Sequence, residues 1–261
     1  MNVVPSPRPA FHWTREAWGL ALRCEPLIGV AQHMFTSKQL GLPAPERWVD
    51  AARSVDATVD RLMRVTQVHG NAVRVVSAAV PASASADDRP DGDAIVSNVA
   101  GLALAVMVAD CVPILVVDPR AGAAAAIHAG WRGTCARVAP AAIAAMLRAF
   151  GSRPEDLIAA IGPSIGPDEY EVGDSLVDAF RDAGHPDASI DRWFRRARPK
   201  PHLDLWAANS DQLLESGLPP TQVHLCGLST ARYPQVFDSY RVDAERAGRM
   251  TAIIVVPTPT A

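Results

Sequence analysis

The stretch MVADCVPILVVDPRAGAAAAIHAGWRGT, residues 107–134, places two chemically capable side chains at matching points of two apolar runs. Cys111 opens the first run, and His128 closes the second immediately before a glycine-rich turn. Two apolar strands joined by a short turn are typical of an antiparallel hairpin. In such a hairpin, Cys111 and His128 would lie together at the end away from the turn.

A second histidine occupies a similar position, because His69 ends the strand-like segment RVTQVHG and also precedes a glycine. Two imidazoles and a thiolate suit Zn²⁺, and three protein ligands leave a fourth position open, as in catalytic zinc sites. The chain spacing matches no compact zinc signature, and a single histidine is more often an ordinary, partly buried side chain. The residues alone therefore leave two interpretations open: a zinc site of His69, Cys111 and His128, or polar groups within the core.

The segment HAGWRGT, residues 128–134, is a candidate anion site. A strand ends there, Gly130 and Gly133 allow close backbone approach, and a helix begins. Free N–H groups at a helix start can bind phosphate together with the guanidinium of Arg132, although short turns also need glycine for local reasons.

Two further polar side chains are candidates for the same site. Asp110 could act as a general acid or base, could support a ligand, or could simply cap a turn. Arg241, in the segment SYRVD, is a candidate substrate contact, with a surface ion pair as the alternative.

Predicted strands and helices must position these residues, and their order along the chain indicates an α+β fold with a mixed β-sheet flanked by helices. Strands and helices alternate too irregularly for a doubly wound parallel sheet. The predicted strands cover 71–80, 94–98, 101–110, 112–118, 123–129, 157–163, 222–229 and 250–256. The predicted helices are 134–150, with Thr134 as N-cap and a kink or late start at Pro140, 173–184, and 204–217, with Asp204 as cap. The small, polar segment 78–93 predicts an exposed loop.

Composition limits the classes of partner. The 261 residues are 49% hydrophobic and 20% charged, with a formal net charge of −3, which offers no long-range attraction for nucleic acid or an anionic membrane. The basic segment 191–202 is interpreted as a solvated loop between helices.

The chain shows no membrane-length apolar run, no secretory signal pattern and no C-x-x-C cysteine pair. We therefore expect a cytoplasmic monomer or weak homodimer that acts on a small molecule.

Five segments in this order, QVHG, ADCVPILVVD, HAGWRGT, IGPSIG…YEVG and FDSYRVDAERAGRM, resemble the YfiH family, also called the laccase-domain or polyphenol oxidoreductase family. The resemblance runs from about residue 28 to 256, within one domain predicted over 1–261. It implies one zinc ion held by His69, Cys111 and His128, and a fold similar to the deamidase domain of certain bacterial cytotoxins. It also implies a purine nucleoside enzyme that splits adenosine, inosine or methylthioadenosine with phosphate, with adenosine deaminase activity in some members.

The chain departs from the family pattern at a few positions. Ser164 and Ser229 stand where the family commonly has cysteines, and Lys38 stands where it often has arginine. The three implied zinc ligands are unaffected, but a thiol role near the two serines is in doubt.

Alternative functions remain open. A copper-dependent polyphenol oxidase needs a separate multi-copper cluster, and the seven histidines include no H-x-H pair, while His12, His185 and His202 lie in segments interpreted as surface loops. Copper could still replace zinc at the three candidate ligands.

A metal-free hydrolase would use Cys111 as nucleophile and His128 as base, and the family suggests an amidase that edits a cell-wall precursor. A non-catalytic binding module would need an apolar patch or groove of which the sequence shows no sign.

Overall fold

The computed structural model describes residues 4–77, 89–196 and 199–258. The strands are β1 (Phe11–Glu16), β2 (Gly19–Cys24), β3 (His33–Thr36), β4 (Leu62–Met63), β5 (Val73–Val76), β6 (Ala94–Ser97), β7 (Ala103–Val108), β8 (Val112–Asp118), β9 (Ala123–Ala129), β10 (Ile158–Ile161), β11 (Phe194–Arg195), β12 (His202–Leu203), β13 (Val223–Leu225) and β14 (Met250–Val255). The helices are α1 (Arg47–Arg53), α2 (Trp131–Cys135), α3 (Val138–Phe150), α4 (Asp174–Asp182), α5 (Asp187–Trp193), α6 (Leu205–Glu215) and α7 (Tyr240–Asp243). Most of the predicted loop 78–93 lies outside the described residues.

Two six-stranded mixed sheets form the framework. The first has the order β1-β2-β3-β14-β7-β4, and the second has the order β13-β10-β8-β9-β6-β5. Most neighbouring strands are antiparallel, while β4 with β7, β5 with β6 and β10 with β13 are parallel. The predicted α+β fold with mixed strands and flanking helices is confirmed, and the strands divide between two sheets.

The second sheet is covered on both faces. Side chains such as Leu115 and Val117 of β8 pack with Leu104 and Val106 of β7 in a core shared with the first sheet. On the other face, alternate residues of β8 and β9 pack against helices α3 to α6. Because neither face meets water, β8 and β9 are buried at every position and form uninterrupted apolar runs.

The β8–β9 hairpin forms as the sequence predicts. Its register pairs Val112 with Ala129, Pro113 with His128, and Asp118 with Ala123. At the turn, the Asp118 carboxylate accepts hydrogen bonds from two backbone N–H groups. Cys111 and His128 consequently lie at the opposite end of the hairpin.

The helix predicted over 134–150 is divided in two, and Thr134 is not its N-cap. Helix α2 begins at Trp131, and the chain leaves it at Arg137, whose φ of 60° lies in the left-handed region. Pro140 then occupies the first turn of α3, where its missing N–H has no helical partner to lose. The Asp204 cap is confirmed, because its carboxylate accepts the N–H of Ala207.

The three histidines predicted in surface loops lie in strands or are buried. His12 lies in β1, while His185 and His202 are both 6% exposed. Their imidazoles bind backbone carbonyls, those of Cys135 and Pro167 respectively. The basic segment 191–202 includes the end of α5 and the β11–β12 ribbon, apart from two residues outside the described ranges. None of the helices in the described ranges combines the length and apolar character needed to cross a membrane.

Replacement of Gly162 by alanine tests the packing of the two sheets. Gly162 follows β10, and a Cβ there would overlap the ring of Phe35 in β3. We expect Gly162→Ala to lower the free energy of unfolding by about 1–3 kcal/mol, because the ring must move within a filled core. Denaturant unfolding measures the change.

Gly173→Ala is the matched control, because its added methyl would meet only the Ser175 hydroxyl at 3.5 Å. We expect it to change the unfolding free energy by less than about 1 kcal/mol. Equal stability of Gly162→Ala and the unmodified chain would contradict close contact between the sheets.

Candidate metal centre and cavity

The folded chain brings His69, Cys111 and His128 together. Their ligand atoms all lie within 4.8 Å of one another, and the two imidazole rings meet edge to face with 4.9 Å between centroids. His128 is buried in β9, Cys111 directly precedes β8, and the exposed His69 leaves one side of the group open. Two imidazole nitrogens and one sulfur fit a tetrahedral metal ion with one accessible position.

A buried carboxylate that the sequence pattern does not reveal holds this group in place. One oxygen of Asp93 accepts the Nδ1–H of His128 at 2.8 Å and the backbone N–H of His69 at 3.0 Å. The other oxygen accepts the backbone N–H of Gly70 at 2.6 Å. With Nδ1–H donated in a hydrogen bond to Asp93, Nε2 of His128 is the ring nitrogen that could bind a metal ion.

The backbone at His69 explains how one carboxylate reaches two successive N–H groups. His69 has φ of 59°, in the left-handed region, so the chain turns sharply around Asp93. Burial would raise the pKa of the Asp93 carboxyl, but His128 and the N–H groups of Gly70 and His69 hold that pKa below its usual value. Only its position among distant segments shows that Asp93 belongs to the site, since a lone acid before a strand carries no sequence signal.

The two glycines of HAGWRGT let α2 pack closely on the metal-ligand group. A Cβ at Gly130 would lie 2.7 Å from the sulfur of Cys111. A Cβ at Gly133 would lie 3.1 Å from the carbonyl oxygen of Gly70. Packing therefore requires glycine at position 130 and leaves little room for a Cβ at position 133, while direct substrate contact by Gly130 or Gly133 stays a prediction.

The electrostatics of the site favour a thiolate at Cys111. Burial alone would raise the pKa of this thiol, but neighbouring His128 and His69 lower that pKa to about 6. Burial alone would likewise lower the pKa of His128, whereas Cys111 and Asp93 raise it to about 9. Without metal, the pair is therefore thiolate and imidazolium across neutral pH, and the thiolate is the form that binds metal.

A cavity of about 880 Å³ opens onto the group of ligands, a size typical of small-molecule sites. Its aromatic walls are formed by Trp131, Tyr170 and Tyr240. The charged residues that line it are four arginines and one acid: Arg89, Arg132, Arg241, Arg249 and Asp110. The cavity is thus basic although the chain carries a net charge of −3, and it favours an anionic ligand.

Asp110 connects three segments of the cavity wall. Its carboxylate accepts the Thr230 hydroxyl and, at 2.6 Å, the backbone N–H of Arg241. Its carbonyl oxygen accepts the N–H of Ile165 at 3.0 Å. The geometry favours a positioning role for Asp110, since both carboxylate oxygens are already occupied.

Both predicted arginines reach the cavity. Arg132 is exposed, and its guanidinium lies 4.4 Å from the ring centroid of Trp131. Arg241 lies 5.0 Å from the ring centroid of Tyr170 and donates to the carbonyl of Glu171 at 3.0 Å. Among the described residues, the Arg241 guanidinium contacts backbone carbonyls and an aromatic ring. It forms no ion pair there, unlike the surface ion pair considered from the sequence.

The two serines that replace cysteines support loops outside this cavity. An isolated β-bridge pairs Ser164 with Ser229. The Ser164 hydroxyl accepts the indole N–H of Trp206, and the Ser229 hydroxyl donates to the carboxylate of Glu169. Neither serine lines the cavity, so their substitution leaves the metal-ligand group unchanged.

Comparison with known proteins relates the chain to nucleoside enzymes. The model of a family described as multi-copper polyphenol oxidoreductase laccase matches residues 45–257. A purine nucleoside phosphorylase of Deinococcus radiodurans is 37% identical over 216 residues, covering 82% of this chain and 78% of that protein. An adenosine deaminase from an unknown prokaryotic organism is 43% identical over 131 residues, covering 50% of this chain and 49% of that protein. The crystal structure of the Bacillus licheniformis hypothetical protein YfiH has a TM-score of 0.85 and 25% identity, covering 94% of this chain and 98% of that chain.

Substitution of Asp93 tests whether its carboxylate organises the metal ligands. We expect Asp93→Asn to weaken Zn²⁺ binding by roughly 10–100-fold, because an amide cannot accept both N–H groups and the imidazole proton. Competition with a chromogenic chelator measures the affinity. Asp118→Asn is the control, because it alters a buried carboxylate at the other end of the same hairpin. Equal zinc affinity of Asp93→Asn and the unmodified protein would contradict this role.

The reactivity of Cys111 tests the thiolate and the metal together. In the metal-free protein, alkylation by iodoacetamide should reach half its maximal rate near pH 6, because the pKa of Cys111 is lowered to about 6 and the thiolate predominates above it. Mass spectrometry of peptides measures the rate at each pH. Cys24 and Cys226 are internal controls, since burial raises the pKa of each to about 12. Added Zn²⁺ should protect Cys111, and failure to protect it would count against a metal ligand.

Proposed function

Because the chain belongs to the YfiH family of laccase-domain proteins, we propose that it is a purine nucleoside phosphorylase acting on adenosine, inosine or methylthioadenosine. The observation that carries the proposal is a metal-ligand group, His69, Cys111 and His128, placed at a basic cavity of small-molecule size. Relatives named for nucleoside phosphorolysis supply the substrate class.

The three ligands would hold one zinc ion. When bound, zinc supplies a Lewis acid beside the substrate. Copper could occupy the same ligands, since it competes well for imidazole and thiolate. We do not propose a multi-copper oxidase: in the described part of the chain, these residues are the one group of three or more His, Cys, Asp or Glu side chains close enough to share an ion.

Phosphorolysis assigns roles to the cavity residues. An oxygen of hydrogen phosphate forms a bond to C1′ of the sugar while the bond from C1′ to the purine nitrogen breaks, and the proton lost by hydrogen phosphate ends on that purine nitrogen. The sugar carries oxocarbenium-like positive charge in between, so a nearby phosphate both reacts and stabilises that charge. Arg132 and Arg241 attract anions into the cavity, and Asp110 positions Arg241 through its backbone N–H.

Adenosine deamination is a second candidate activity of the same site. A protein named adenosine deaminase matches 50% of this chain, and deaminases of nucleobases commonly use a metal with an open position.

A metal-free Cys–His hydrolase, such as the cell-wall precursor amidase, remains the competing class, because Cys111 and His128 would form a thiolate–imidazolium pair in the absence of metal. Retention of activity after complete chelation would favour that class.

Product analysis tests the proposed function. Zinc-loaded protein is incubated with adenosine, inosine or methylthioadenosine, with and without phosphate, and products are identified by mass. We expect phosphate-dependent release of free base with formation of a sugar 1-phosphate, and inosine from adenosine if deamination occurs.

His128→Ala should lower that activity at least 100-fold, because it removes a metal ligand and the partner of Cys111. His12→Ala is the control, since His12 is in β1 and pairs with Glu25 away from the cavity. Undiminished base release by His128→Ala, or none by the unmodified protein, would refute the proposal.

A further inference from the structure

Arg89 differs from Arg241 and Arg249, two of the other arginines that line the cavity. It lines the cavity just before β6, and its Nε is buried with no hydrogen-bond partner among the described residues. By contrast, Arg241 donates to the carbonyl of Glu171, and Arg249 donates to the carbonyls of Ala247 and Gly248. A buried polar atom without a partner in a ligand cavity indicates a group that a ligand completes.

The positive charge of Arg89 also acts on a second arginine, Arg64, which does not itself line the cavity. The guanidinium of Arg64 lies 4.2 Å from the ring centroid of Trp48. Burial lowers the pKa of Arg64 to about 10, and the positive charge of Arg89 adds to that lowering. Neither arginine takes part in the ion pairs found among the described residues. Two like charges in a partly buried place repel each other, and a bound anion removes that repulsion.

We propose that Arg89 forms the subsite of the cavity that binds a phosphoryl group. The planar guanidinium presents donors that match phosphate oxygens, and its unpaired Nε would complete the set. The phosphoryl group is either inorganic phosphate or a phosphate carried by the nucleoside. Inorganic phosphate and a nucleoside phosphate are considered as ligands because of the proposed function. The anion site itself is inferred from the contacts of Arg89 alone.

Direct binding measurements test the subsite. Calorimetric titrations with inorganic phosphate and with adenosine 5′-monophosphate are made on the unmodified protein, Arg89→Met and Arg74→Met. Arg74 is an exposed residue of β5 that does not line the cavity, so it controls for loss of one positive charge. We expect Arg89→Met to weaken binding of at least one ligand by roughly tenfold or more, and Arg74→Met to change neither by more than about twofold.

The pattern of losses identifies the source of the phosphoryl group. Loss for inorganic phosphate assigns the subsite to the co-substrate, and loss for the nucleotide alone assigns it to a phosphate on the nucleoside. Unchanged affinities for both ligands in Arg89→Met, or equal losses in Arg74→Met, would overturn the subsite. Arg89-dependent phosphate binding without any nucleoside cleavage would instead count against the proposed function alone.

Thermal unfolding separates ligand binding from a structural role. Removal of an unpaired charge should leave the Tm of Arg89→Met unchanged or raised, and phosphate should raise the Tm of the unmodified protein more than that of the variant. A lowered Tm together with unchanged phosphate affinity would show that Arg89 is structural.

Discussion

The carboxylate of Asp93 is the interaction on which the candidate site depends. It is completely buried, and it joins the imidazole of His128 to the backbone of His69 and Gly70. A buried charge without partners is costly by several kcal/mol, so these hydrogen bonds are required for the carboxylate to be there at all. Once they form, two candidate metal ligands from distant parts of the chain, His69 and His128, have a fixed relative position.

The β8–β9 hairpin fixes the position of Cys111 relative to His128. Because β8 and β9 are buried on both faces, their register is held by two hydrophobic cores, and Cys111 and His128 follow from it. Gly130 then permits α2 to begin against the sulfur of Cys111. The cavity wall is organised separately, through the contacts of Asp110 with segments around Ile165, Thr230 and Arg241. The hairpin therefore fixes two of the three candidate ligands, Cys111 and His128, while His69 reaches the group from a separate segment held by Asp93.

The sequence is informative where structure is local. Two apolar runs with a short turn determine the hairpin, and the chemistry of imidazole and thiolate nominates the three ligands. Non-local pairing is not readable, and β14 lies between β3 and β7 although it is the last strand. The left-handed residue Arg137 divides the predicted helix, and its guanidinium donates to the carbonyls of Ala183 and Gly184, far along the chain. The role of Asp93 could not be predicted from the sequence for the same reason, since its hydrogen-bond partners His69 and His128 are distant in sequence.

X-ray absorption at the zinc edge of the zinc-loaded protein tests most directly whether the three side chains share one metal ion. We expect a first coordination shell with two imidazole nitrogens and one sulfur at about 2.3 Å, completed by one lighter atom. Cys111→Ser should remove the sulfur contribution and leave the imidazoles. A spectrum of the unmodified protein without sulfur, or a chain that takes up no zinc, would contradict a metal centre formed by His69, Cys111 and His128.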